Sequence, residues 1–234
     1  MTERSPDFAL PDAELRTAGA ILVAASLASV LMMAHHPSGS SRDMATFVEQ
    51  IVRIGALNHL VHGSLIALLA LLLFGFAEFS RVFGADRPLV RVALVAYAIG
   101  TGADIGAASI NGFAIGRLAA QYAGTDAAAL EHLRQLMHLC WAMNQSLADI
   151  GEFARALAIA LWSFALLRAR TNFVLGAAGL VCGGGIVVAL LSGRLALDVH
   201  GMMVVVLAAS AWNVALGVQL VRGRLRVRRL GPTA

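Results

Sequence analysis

His59 and His62 stand three residues apart, so on a helix they share one face. Imidazole is the commonest metal-binding side chain and titrates near neutral pH. His138 and His200 occur further on, each in or beside an apolar stretch, as do the carboxylates Asp104 and Asp149. Two or three imidazoles with a carboxylate suit zinc or non-haem iron. The expected metal set is therefore His59, His62, His138, His200, Asp104 and Asp149. A haem would need histidines opposed across two helices, and His62 with His200 is the best such pair. The motifs H-E-x-x-H and C-x-x-C-H are absent, as are dense histidine boxes. His35, His36 and His132 read as interfacial polar residues.

A second constellation is acidic. Gln145, Asp149 and Glu152 form a polar stripe at helical spacing, and Arg155 follows Glu152 by three. Glu152 with Arg155 reads as a buried ion pair or as part of a proton relay. Asn111 lies two turns beyond Asp104 on a similar face, and Asp198 precedes His200 by two. A charge at the centre of a bilayer costs at least about 2.5 to 3.5 kcal/mol on insertion scales. These groups are therefore expected to face one shared interior.

The elements that position them are six long apolar stretches. Of 234 residues, 59% are apolar and 14% charged, against about 25% charged in an ordinary soluble domain. A membrane-spanning helix needs roughly 20 apolar residues. The spans fall near 17–34, 57–79, 89–115, 139–167, 173–191 and 195–221. The expected fold is all-α, a polytopic six-helix bundle. Residues 1–16 form an N-terminal segment, 17–221 the membrane domain and 222–234 a basic tail. The first span is longer than the apolar region of a cleaved signal peptide, about 7 to 15 residues. Cys140 and Cys182 lack metal or redox spacing and read as packing residues.

All 18 basic residues are arginine, a composition that fits a GC-rich bacterial genome. With the N-terminus inside, twelve arginines fall on the inner side and five on the outer. The positive-inside rule then puts both termini in the cytoplasm of a bacterial inner membrane. All seven histidines fall on the outer side. Arg222, Arg224, Arg226, Arg228 and Arg229 would meet anionic lipid headgroups. The scattering of the other arginines over short connections gives no nucleic-acid surface.

Two outer connections carry helical patterns. Residues 43–55 form an amphipathic helix suited to the headgroup region. Residues 126–139 lead helically into the fourth span. Continuous to residue 167, that helix would be about 60 Å long, and a bend or break is expected near 137–151. Gly102, Gly106, Gly112 and Gly116, with Gly179 and Gly183, repeat a small-residue spacing that lets helices pack closely. They could also join copies of the chain or a membrane partner. A flexible break at 183–185 is the alternative. Val-His-Gly recurs at 61–63 and 199–201, a faint internal echo.

Three functions fit these residues. The first is an outward-facing pocket lined by histidine and acid that binds a transition metal, haem or small ligand, with redox or hydrolytic chemistry open. The second is a small proton-coupled transporter using Asp104, Asp149, Glu152 and Arg155. The third is a non-catalytic assembly factor or complex subunit. The polar stripe thins towards the cytoplasm, which favours a blind pocket over a through path.

Overall fold

The computed structural model describes residues 12–37, 41 and 43–225. These form helices with no strand among them: α1 Asp12–Ala34, α2 Met44–Arg53, α3 Gly55–Gly84, α4 Pro88–Ser109, α5 Ile115–Gln121, α6 Ala127–Arg168, α7 Phe173–Leu191 and α8 Val199–Val221. A single π-helical turn, Ile110–Ala114, joins α4 to α5. Six helical stretches are long and apolar enough to cross a membrane, namely α1, α3, α4 to α5 as one, α6, α7 and α8.

The starts of these helices follow from local chemistry. Asp43, Asp126, Asn172 and Asp198 each accept the backbone N–H three residues on, at 2.8 to 3.0 Å. Each satisfies one of the donors that a helix start leaves orphaned. Pro88 opens α4, where its missing N–H costs nothing. Asp198, expected among the costly intramembrane acids, thus has a structural role as the cap of α8.

The six spans pack in a ring: α1 beside α3, α3 beside α4, α4 beside α6, α6 beside α7, α7 beside α8, and α8 back on α1. The described chain starts and ends at one end of this ring, the terminal end. The seven histidines all lie towards the other, the histidine end. Aromatic side chains fill the ring's centre in the half nearer the termini. Phe76 stacks on Trp162 with centroids 4.7 Å apart and on Trp212 at 6.0 Å. Tyr97 closes against Phe76 at 4.5 Å. The buried indole N–H groups are satisfied: Trp162 donates to Ser80 Oγ and Trp212 to the Leu175 carbonyl, both at 3.1 Å.

α6 runs as continuous helix for 42 residues, so the break allowed near 137–151 does not occur. At 1.5 Å per residue it is about 63 Å long, twice a bilayer core of about 30 Å. It has no interior proline, and its first turns have a partner outside the spans. Leu133 and Met137 pack with Phe47 and Val48 of α2 and with Ile115 and Ala119 of α5. Phe47 and Val48 on the apolar face of α2 are therefore buried in protein, while Val52 of the same helix stays exposed. Of the two readings of 183–185, the flexible break fails, because the segment stays helical within α7. A Cβ at Gly183 would stand 2.5 Å from the Ala156 carbonyl of α6, so this glycine is there for close packing. The irregularity occurs instead at the π turn after α4.

Candidate functional site

Above the aromatic plug the ring encloses a cavity of about 360 Å³. It is lined from five helices and from the cap of α8. α1 supplies Met33, with His36 just beyond its end; α3 supplies His62; α4 supplies Asp104, and the π turn after it Asn111. α6 supplies Asn144, Gln145, Glu152 and Arg155, and the α8 side supplies Asp198, Met202, Ser210 and Asn213. α7 contributes nothing to the lining.

The cavity floor is a charged triad. The Arg155 Nη1 donates to Asp104 at 2.8 Å and to Glu152 at 3.0 Å. All three residues are buried, and the guanidinium also lies over the Tyr97 ring at 5.6 Å. Two glycines make the triad possible. A Cβ at Gly100 of α4 would fall 2.7 Å from the Gly151 carbonyl of α6, and one at Gly151 would overlap the Asp104 carboxylate. Without side chains at these positions the helices approach until Asp104 reaches Arg155. Arg155 Nε and Asn213 Oδ1 are buried without a partner among the described residues. Unmet polar atoms in a cavity wall are suited to water or a ligand.

The upper wall is a pair of histidines. His36 Nε2 and His62 Nε2 are 3.2 Å apart, with the rings edge to face. The other ring nitrogen of His62, Nδ1, lies 3.0 Å from the Asn58 carbonyl. A carbonyl only accepts, so Nδ1 carries the proton and Nε2 presents a lone pair. Asn58 in turn donates from Nδ2 to the Asn111 carbonyl at 2.9 Å, inside the π turn. A π turn shifts the helical bonding by one residue and leaves carbonyls to be met from elsewhere, which is one reason such turns occur at functional sites. Gly112 permits this contact, because a Cβ there would overlap the His62 side chain. Burial holds the His36 imidazole below the ordinary histidine range.

The expected site residues divide. His62, Asp104, Glu152 and Arg155 line the cavity together. His59 lies outside it, exposed and stacked on Phe113 at 5.2 Å. His138 is exposed with its ring edge-on to Trp141, and His200 is exposed at the start of α8. Asp149 is exposed and accepts from Gln145 at 3.1 Å. Among the described residues no three His, Cys, Asp or Glu side chains are close enough to share a metal ion. The haem pair His62 and His200 is not opposed across the cavity, since only His62 lines it. Arg222 and Arg224 are exposed at the terminal end. Arg226, Arg228 and Arg229 lie outside the described residues.

Sequence reading missed His36, Asn58, Met33 and Asn213. One signal for Asn58 was available: it precedes His62 by four and so shares its helix face. His36 carried none, because it lies beyond the end of α1. Comparison of the chain with protein families, with curated proteins and with solved structures returned no match.

Proposed function

We propose that this membrane protein binds a small cationic ligand in the cavity, whose largely apolar wall carries a few charged side chains, and that the ligand enters from the histidine end. The single observation that carries this is the composition of the wall: three carboxylates, Asp104, Glu152 and Asp198, face one guanidinium, Arg155. Asp198 is exposed and caps the N-terminus of α8, but the acids still outnumber the bases. Low dielectric around such a site strengthens its attraction for positive charge. Metal ions and protonated amines are the two ligand classes of the right size and sign. Haem fits less well, because axial ligands stand on opposite faces of a macrocycle and His36 and His62 are in direct contact.

A binding role is favoured over transport. The stacked rings of Phe76, Tyr97, Trp162 and Trp212 occupy the path towards the terminal end. In the orientation proposed from arginine bias, the termini are cytoplasmic in a bacterial inner membrane and the cavity opens outward.

Ala148 lines the cavity, so Ala148→Cys, in a chain with Cys140 and Cys182 replaced by alanine, reports on its electrostatics. A 2-aminoethyl methanethiosulfonate should modify this thiol at least about tenfold faster than the 2-sulfonatoethyl reagent, after correction for their rates with a free thiol. The ratio should fall in Asp104→Asn and Glu152→Gln. Equal corrected rates, or faster reaction of the anion, would remove the cationic reading.

A further inference from the structure

We infer that His36, His62 and Met33 form a binding site for a soft monovalent metal ion, copper(I), at the upper wall of the cavity. This rests on the cavity reading above and names its ligand more closely. The three residues share one place. His36 N–H donates to the Met33 carbonyl at 3.2 Å, closing the last turn of α1. Met33, His36 and His62 all line the cavity, and His62 meets His36 from α3. Met202 of α8 lines the same space and brings a second thioether.

The nitrogen geometry suits coordination. Two nitrogens bound to one tetrahedral ion at 2.0 to 2.1 Å stand roughly 3.3 Å apart. His36 Nε2 and His62 Nε2 are 3.2 Å apart, so the separation needs little adjustment on binding. A metal-ligating histidine usually donates its second ring N–H to a carbonyl or carboxylate, which fixes its tautomer. The His62 Nδ1–H does this to Asn58, and Asn58 is held by the π turn. Without metal, His36 Nε2–H donates to His62 Nε2. On binding, that proton moves to His36 Nδ1, a buried ring atom, and both Nε2 lone pairs become free.

The donor set selects the metal. Zinc and non-haem iron favour imidazole with carboxylate or thiolate, whereas thioether with imidazole suits copper(I). The cavity's carboxylates are engaged with Arg155 and with the start of α8, so they do not compete as ligands. Their negative charge still favours entry of a cation.

Anaerobic titration of the purified full chain with copper(I), against a chromophoric copper(I) chelator, tests this. One equivalent per chain should bind. Met33→Leu, which keeps size and apolarity, should weaken binding at least about tenfold. His62→Gln and His36→Gln should each weaken it about a hundredfold, while His35→Gln, outside the cavity, should leave it unchanged. X-ray absorption of the loaded protein should show sulfur and imidazole scattering, a signature that no folding defect can imitate. Absence of binding by native protein overturns the site, as does binding that survives both histidine substitutions or lacks sulfur scattering. Charge-selective labelling at Ala148→Cys that persists in a copper-negative protein would sink the copper site alone. Loss of that selectivity would sink the cavity reading itself.

Discussion

Arg155 bonds Asp104 at 2.8 Å and Glu152 at 3.0 Å from within the bundle. Removing one partner of a buried ion pair strands charge and typically costs about 3 to 5 kcal/mol. Arg155→Met should therefore lower the thermal stability of the detergent-solubilised protein by that order. Adding Asp104→Asn and Glu152→Gln should recover most of the loss, because neutral groups need no counter-charge. Equal stability of the single and triple variants would contradict the triad. At the other end of the burial scale, the Thr46 hydroxyl and backbone N–H both bond Asp43, which holds its carboxyl below the ordinary value of 3.8. A depressed carboxylate contributes fully above its unfolded value and loses that contribution as pH falls through the lower folded value. Exchange protection of the Thr46 amide should thus fall on acidification below about pH 4. Asp43→Asn should flatten that dependence. The Glu152 partner of Arg155 was legible at spacing three, since helix geometry alone brings them together. Asp104 was not, because its approach depends on glycines in two different helices.

Elements were legible wherever composition dominates, and less so where packing decides. Each of the six spans contains most of its expected range, because twenty apolar residues in lipid have little choice but helix. The continuity of α6 was not legible. It depends on α2 and α5 covering Leu133 and Met137, a contact between segments far apart in sequence. Leu133→Ala should cost about 2 to 5 kcal/mol and expose the region around α2 to protease before the spans unfold. Simultaneous loss of both regions would argue against a separately packed cap. Glycines behave similarly. The Gly102 to Gly106 spacing was conspicuous in the sequence, yet a Cβ at Gly102 meets nothing within 4 Å. Gly102→Ala should be neutral or stabilising by up to about 1 kcal/mol, since alanine favours helix. Gly151→Ala places a methyl on the Asp104 carboxylate and should destabilise by about 1 to 3 kcal/mol. Melting temperatures of the two variants settle which glycine joins the helices.

At the scale of the molecule, a ring of six helices surrounds a cavity with a charged floor at the histidine end and an aromatic plug at the terminal end. Clustering of the histidines at one end was legible from alternation of the spans. Which of them reach the interior was not, because each side chain's direction depends on the rotation of its helix about its own axis. His62 turns inward, whereas His59, less than a turn away, turns out onto Phe113. The central claim is that the cavity opens at the histidine end alone. Its most direct measurement is labelling of Ala148→Cys in sealed, uniformly oriented proteoliposomes lacking other cysteines, with a small membrane-impermeant thiol reagent applied to one side at a time. The account predicts modification from the histidine side only, and none from either side for Ala158→Cys, which is packed in the aromatic half. Labelling of Ala148→Cys from the terminal side, or from both sides, would contradict it and mark a through path.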